Sequence, residues 1–254
     1  MKKSITENTN YSKVCEMASN NDYIFSIFKS IEAYVDVLEH VTFEQGKKYL
    51  EIIQDAPEFS KFIEKFRKND MFGSPKTFEY GKFGKFSPTT LRYIKVMLDL
   101  KNIHGDLTGM DILEIGCGYG GQAKIICDTF NVKSYTFVDL PETIMLVKKY
   151  LSKFSLNNEV NVISYGKNLD LKEKYDLCIS NYAFTECDKE VQQNYIDKFI
   201  NNSNKGYITC NFVSKEIANI ESFSLEELKN NIKKDISILP EKPLTHQKNC
   251  IMVW

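Results

Sequence analysis

The stretch LEIGCGYGGQ, Leu113 to Gln122, sets Gly116, Gly118 and Gly121 at the G-x-G-x-x-G spacing of a dinucleotide site. Read from Glu114 to Gly120, it also fits E-x-G-x-G-x-G, the spacing of a methyl-donor site. A glycine turn between a strand and a helix lets the backbone approach a ligand and points helix N-terminal amides toward it. Those amides favour an anion, either a pyrophosphate or the amino-acid carboxylate of S-adenosylmethionine. Asp139 stands 23 residues beyond Gly116 at the end of the next predicted strand, placed to accept hydrogen bonds from ribose hydroxyls. Both ligands carry that ribose. Glu114 favours the methyl donor, because the position two residues before the first glycine is usually apolar in nucleotide dehydrogenases. No Tyr-x-x-x-Lys pair occurs, so the catalytic pair of a short-chain dehydrogenase or sugar epimerase is missing. An NAD(P)-dependent oxidoreductase and a noncatalytic cofactor-binding module stay as alternatives.

The elements that position this turn follow from periodicity. DILEI reads as a strand, followed by a helix from about Tyr119 to Phe130. SYTFVDL is the second strand, and Pro141 opens the next helix. VNVISY, YDLCISN and GYITCNF are the third to fifth, with a helix from about Asp188 to Asn201 between the last two. Short strands follow at ISIL and CIMVW. This alternation predicts a doubly wound α/β sheet. The closing pair suits a seven-stranded methyltransferase plan whose last strand inserts antiparallel.

Upstream, Ser87 caps and Pro88 opens the helix SPTTLRYIKVMLDL. Ile24, Ile27, Phe28, Ile31, Val35 and Leu38 predict one helix from Asn21 to about Leu38. Thr42 and Gln45 match a capping box, and Pro57 opens a helix carrying Phe59, Phe62, Ile63 and Phe66. Residues 1–70 thus read as a helical N-terminal appendage, able to cover the site or to form a homodimer interface. In 71–87, Phe78, Tyr80, Phe83 and Phe86 alternate with lysines among glycines, a candidate lid. Residues 88–254 form the α/β domain.

Composition bounds the partners. The 254 residues, 43% hydrophobic and 26% charged, suffice for one large domain or one domain with an appendage. A net charge of -1 gives no global basic field, so nucleic-acid binding is not expected. No apolar h-region follows MKKSITENTN and no run of 18 uncharged apolar residues occurs, which predicts a cytoplasmic protein without membrane insertion. The seven cysteines are scattered without a C-x-x-C pair, unlike a disulfide scaffold or zinc site. With no paired-carboxylate or histidine cluster, no metal is expected.

SPTTLRYIKVMLDL, ILEIGCGYGGQ, YTFVDLPET, SNYAFTE and the ending PLTHQKNCIMVW together resemble the sugar O-methyltransferase family, within the class I S-adenosylmethionine-dependent methyltransferases. The resemblance covers roughly residues 72 to 254. It implies a Rossmann-like sheet with helices on both faces, S-adenosylmethionine as donor and S-adenosylhomocysteine as product. It also implies methylation of a sugar or nucleotide-linked sugar hydroxyl in bacterial capsule or other surface polysaccharide synthesis. A non-sugar small-molecule acceptor is the alternative within the same chemistry.

In an open α/β sheet the ligand lies beyond the carboxyl ends of the parallel strands. That rule assigns Glu114, Gly116, Gly118 and Gly120 to the amino-acid part of the donor, and Asp139 with Leu140 to ribose and adenine. Ser164 and Tyr165 are expected to flank adenine, Asn181 to lie near the sulfonium, and Gln122 to face the site or cap its helix. Methyl transfer to oxygen requires a hydroxyl to be oriented and its proton removed. His246, between the sixth and seventh strands, is the first candidate for the base, and Glu186, after the fourth strand, is its rival. Tyr182 is assigned to the pocket wall. Arg92 is expected to hold a carboxylate or phosphate of the donor or of a nucleotide-linked sugar. Tyr80, Lys82 and Lys85 are candidate acceptor contacts.

Overall fold

Alternate residues of the central strands belong to different cores, which is what a sheet covered on both faces requires. In the computed structural model, which describes residues 3–7, 9–156, 159–164 and 174–254, Ile112 faces one cluster while Leu113 and Ile115 face a second. Leu177 and Cys178 divide in the same way, as do Tyr207 and Ile208. Tyr165 lies outside the described residues, as does the side chain of Ser164.

The strands are β1 (Phe78–Glu79), β2 (Lys85–Phe86), β3 (Asp111–Ile115), β4 (Ser134–Asp139), β5 (Glu159–Ser164), β6 (Tyr175–Asn181), β7 (Ser203–Cys210), β8 (Ser237–Pro240) and β9 (Cys250–Val253). Seven of them form one sheet in the order β5-β4-β3-β6-β7-β9-β8. The five from β5 to β7 are parallel, and β9 runs antiparallel between β7 and β8. This is the Rossmann-like methyltransferase sheet, with the expected antiparallel insertion.

The helices are α1 (Asn10–Asn20), α2 (Asp22–Ile27), α3 (Glu32–Tyr34), α4 (Phe43–Ile53), α5 (Pro57–Arg67), α6 (Pro88–His104), α7 (Gly121–Thr129), α8 (Pro141–Leu151), α9 (Lys189–Tyr195), α10 (Ser214–Ala218) and α11 (Leu225–Asn231). Residues of α6, α7 and α8 cover one face of the sheet, and α9 and α11 contribute to the cluster on the other. The first face also takes Tyr11, Phe28, Ile53 and Phe59, so the N-terminal helices share a core with the sheet. Among the described residues no helix is long and apolar enough to cross a membrane.

Two local expectations are corrected. The helix expected from Asn21 to about Leu38 is broken: α2 stops at Ile27, Phe28–Ser30 is a 3-10 turn, Ile31 is extended (φ -76°, ψ 127°), and a π turn covers Val35–Glu39. Its apolar periodicity reported burial and not continuity. Phe28 and Tyr34 meet edge to face at 4.9 Å inside the core, while the intervening Lys29 is also buried, its Nζ donating to the Asn69 carbonyl at 2.9 Å. A straight helix would point Lys29 away from both rings.

The candidate lid is a hairpin packed against α4. Phe78 pairs with Phe86, and the Phe43 ring lies 5.1 Å from Phe78 and 5.4 Å from Tyr80. Glu79 is exposed between the more buried Phe78 and Tyr80, and exposed Lys85 precedes buried Phe86, the alternation of a half-buried strand pair, while Lys82 is exposed in the 3-10 turn between them.

Candidate active site

β3 delivers the glycine turn to the carboxyl edge of the sheet. Gly116 and Gly118 take left-handed φ angles of 74° and 55°, which residues with a Cβ adopt at a cost. The turn is also tightly enclosed. A Cβ on Gly116 would lie 2.0 Å from Ala183 Cβ, and one on Gly118 would lie 2.8 Å from Leu38 Cδ1. Beside the turn, at the end of β4, the Asp139 carboxylate accepts from the Cys117 N–H at 2.8 Å and from the Leu140 N–H at 2.7 Å. Burial raises its pKa while these donors oppose the rise, so the carboxylate is oriented by backbone before any ligand arrives.

A cavity of about 520 Å³ opens above this edge. Glu114, Gly116, Gly118, Asp139 and Leu140 form one part of its lining, and Arg92, Asn181, Tyr182, Glu186 and His246 another. The Asn181 Oδ1 accepts from Thr209 Oγ1 at 3.3 Å, while its buried Nδ2 has no hydrogen-bond partner among the described residues.

Several expected site residues stand elsewhere. Gly120 is the N-cap of α7, against Leu151 and Val147. Gln122 is buried and its Nε2 donates to the Tyr93 carbonyl at 3.0 Å, a bond joining α6 to α7. Tyr80, Lys82 and Lys85 are outside the cavity lining; their hairpin packs instead on α4 and α5, with the Phe43 and Tyr80 rings 5.4 Å apart and the Phe59 and Phe83 rings 5.5 Å apart.

The N-terminal segment, read from sequence as able to cover the site, supplies walls whose individual residues the sequence did not single out. Lys3–Glu7, Tyr11, Leu38, His40 and Tyr49 line the cavity. Ile5 N–H donates to the Glu186 carbonyl at 3.3 Å, and Asp188 N–H donates to the Lys3 carbonyl at 2.9 Å. Ser4 and Cys187 form an isolated antiparallel bridge. These contacts span more than 180 residues of sequence, and no local pattern announces them. His40 stands exposed at the rim, its pKa lowered by partial burial and by the Arg92 charge.

Glu186 and His246 are both in the lining but in different settings. Glu186 ends the 3-10 turn that follows β6, and its Oε1 accepts from Asn211 Nδ2 at 2.6 Å. Burial raises the Glu186 pKa above the ordinary 4.5, with the Asn211 bond working in the other direction. His246 is exposed, and its Nδ1 accepts from the Lys248 N–H at 3.3 Å.

Tyr182 occupies a strained position beside them, with a left-handed φ of 68° that costs a non-glycine residue about 1–3 kcal/mol. Its hydroxyl donates to Glu241 Oε1 at 2.5 Å. Glu241 is buried and also accepts from Thr245 N–H at 2.8 Å and Asn249 Nδ2 at 3.0 Å. The strained residue is therefore tied to the connection that carries His246.

Burial pushes Glu114 up to about 8, with the Tyr135 hydroxyl, 2.9 Å from Oε2, opposing the rise and the Asp139 charge adding to it. An acid whose folded pKa exceeds its unfolded value binds its proton more tightly in the fold. The ligand-free protein should therefore lose stability as pH rises from about 4.5 toward 8. Glu114→Gln is expected to flatten this slope in a series of Tm measurements across that window. An unchanged slope would assign the lost protons to other groups.

An oriented strand-end carboxylate and a glycine turn with no room for Cβ atoms can receive a ribose beside a compact charged group. Residues 91–250 match the family described as Mycolic acid cyclopropane synthetase. Among solved structures, the chain is similar to an S-adenosylmethionine-dependent methyltransferase from Clostridium acetobutylicum ATCC 824, with 13% identity, 64% of this chain and 90% of that one covered, and a TM-score of 0.49. It is also similar to the N-methyltransferase NodS from Bradyrhizobium japonicum WM9 in complex with S-adenosyl-L-homocysteine (12% identity, 77% and 96% covered, TM-score 0.47). A third is a SAM-dependent methyltransferase from Aquifex aeolicus (15% identity, 62% and 87% covered, TM-score 0.46). The family match meets the sequence expectation of a methyltransferase with S-adenosylmethionine as donor, and carries no specificity for oxygen or for sugars. With the family match spanning more than half of its length, the chain belongs to the mycolic acid cyclopropane synthetase family and is a class I S-adenosylmethionine-dependent methyltransferase.

Proposed function

We propose that the protein methylates a hydroxyl of a small polar acceptor, a sugar or nucleotide-linked sugar being the first class to test, with Glu186 as general base. The observation that carries this reading is the Glu186 carboxylate itself. It lies in the cavity lining, is fixed by Asn211, and has its pKa raised by burial. A base of elevated pKa is better matched to proton removal near neutrality than an ordinary carboxylate.

When bound, S-adenosylmethionine supplies a methyl group made electrophilic by its positively charged sulfur. Glu114, Gly116, Gly118, Asp139 and Leu140 are the residues that would hold this donor, with Asn181 offering its free Nδ2. The remaining lining, Arg92 apart, orients the acceptor. Glu186 takes the hydroxyl proton as the oxygen forms its bond to the methyl carbon, the carbon–sulfur bond breaks with its electron pair going to sulfur, and Tyr182 forms part of the cavity wall. The turn at Lys3–Glu7 helps to exclude water.

The family name raises a second acceptor class, an acyl chain. The cavity of about 520 Å³ has to take both donor and acceptor, and its lining includes Arg92, Glu186, Asn211, His40 and His246. The same lining includes the apolar Val37, Val41, Val191, Val213 and Ile217, so it is the limited volume that favours a compact acceptor over a long chain. The resemblance to sugar O-methyltransferases selects nucleotide sugars first and leads to the reading of a role in surface polysaccharide synthesis.

The test is transfer of radiolabelled methyl from S-adenosylmethionine to parallel panels of nucleotide sugars, free sugars, small amines and phospholipid vesicles. Label in a nucleotide sugar or free sugar, released as a methyl ether on hydrolysis, is expected. Label confined to amines or to phospholipid would overturn the proposal while leaving the enzyme class intact.

A further inference from the structure

Arg92 brings a positive charge into the cavity lining with no ion-pair partner among the described residues, although the buried Glu39 carboxylate acts on it through space. It is nine-tenths buried, at 9% exposure. Its contacts are the Leu38 carbonyl, which accepts from Nη2 at 3.3 Å, and the rings of Tyr93 and Tyr182, each 5.7 Å from the guanidinium. None of these is an anion. A buried guanidinium is stabilised by a carboxylate or phosphate that accepts from its planar fork, and since no described carboxylate pairs with that fork, the anion of a ligand can take the place.

Three contacts tie Arg92 to the glycine turn. Leu38, whose carbonyl binds Arg92, also places its side chain over Gly118, where a Cβ would meet Leu38 Cδ1 at 2.8 Å. The next residue, Tyr93, accepts from Gln122 in the first turn of α7. The Tyr93 ring lies 6.0 Å from that of Tyr119, within the turn itself. The start of α6 is thus fastened to the start of α7, whose N-terminal end favours negative charge. S-adenosylmethionine has one anionic group, its α-carboxylate.

We propose that Arg92 binds the α-carboxylate of the methyl donor and makes the site select donors that carry an intact amino-acid head. The assignment rests on the S-adenosylmethionine site and is independent of the acceptor proposed above. Of the two anions expected for Arg92 from sequence, the donor carboxylate is favoured because its contacts lead to Gly118, Tyr119 and Gln122.

Calorimetric titration separates the possibilities without any acceptor. Wild type and Arg92→Gln are titrated with S-adenosylhomocysteine and with 5′-methylthioadenosine, the same nucleoside lacking the amino-acid head. Loss of a charge-assisted bond is expected to weaken S-adenosylhomocysteine by about 10- to 100-fold in Arg92→Gln and to leave methylthioadenosine nearly unchanged. Arg92→Lys, which keeps the charge, should recover part of the preference. Equal losses for both ligands, or no loss for either, would overturn the proposal.

Should Arg92→Gln fail to fold, wild type alone decides. The carboxamide of S-adenosylhomocysteine must then bind much more weakly than the acid, and equal binding would overturn the assignment. Failure of wild type to bind either nucleoside would instead remove the donor site on which the proposal stands.

Discussion

Glu186→Gln should lower kcat by about 100- to 10,000-fold, the range that a positioned general base contributes, while S-adenosylhomocysteine binds as in wild type. The substitution preserves the shape of a side chain held by Asn211 and removes only its capacity to take a proton. In wild type the pKa of Glu186 stands above the ordinary 4.5 because burial disfavours the charged form. The basic form is therefore populated only above that elevated value, and kcat/KM should rise with pH through it. The Gln variant should lose this acid limb along with the rate. Asn211→Ala provides the complementary result, because the Asn211 bond stabilises the charged form. Its removal raises the pKa further and moves the limb to higher pH. His246→Ala, at the exposed rim, should stay within a few-fold of wild type. A large loss in His246→Ala with a mild effect in Glu186→Gln would move the base to the connection between β8 and β9.

The glycine turn and the sheet were legible because their determinants are local or follow from chain order. Gly116 and Gly118 need φ angles that other residues avoid, and the strand before them and the helix after them advertise themselves by period. Asp139 could be placed because a strand end following such a turn has one geometry in a parallel sheet. The alternation of strands and helices then left few topologies, and the final antiparallel pair was visible as two short apolar runs.

The rest of the site was hidden for the opposite reason. Tyr11, Leu38, His40 and Tyr49 reach the cavity only after the N-terminal helices pack against the sheet. Apolar spacing says which residues are buried, and it does not say where a buried segment bends. That ambiguity joined α2 to the turn at Val35–Glu39 as one helix. In 71–87 the alternation of aromatics and lysines was a strand signal, but glycines and Pro75 obscured it. No local pattern marks Glu241, yet it is buried and accepts directly from the Tyr182 hydroxyl, 59 residues away in sequence. Gln122 misled in a different way. Its place at the start of α7 was evident, but the backbone of α6 takes the side chain before a ligand can.

Gly116→Ala should be the most damaging single methyl group in the site. The added Cβ carries two separate costs. The left-handed conformation at φ 74° disfavours alanine by about 1–2 kcal/mol. The methyl would also arrive 2.0 Å from Ala183 Cβ, and Ala183 has no rotamer with which to move aside. Relief requires displacement of the backbone between β6 and Glu186, and forcing an extra methyl into a packed interior costs about 1–3 kcal/mol. The combined loss of about 2–5 kcal/mol should lower Tm by roughly 10 °C for a chain of this size. Displacing that backbone also changes the position of Asn181 and Glu186, so S-adenosylhomocysteine affinity should fall together with stability. Gly109→Ala serves as the control for backbone strain, since its φ is 78° but nothing lies within 4 Å of the new Cβ. It should show the conformational loss alone, with ligand affinity intact. If the two variants prove equally stable and equally able to bind, the close packing of the glycine turn against Ala183 does not shape the site.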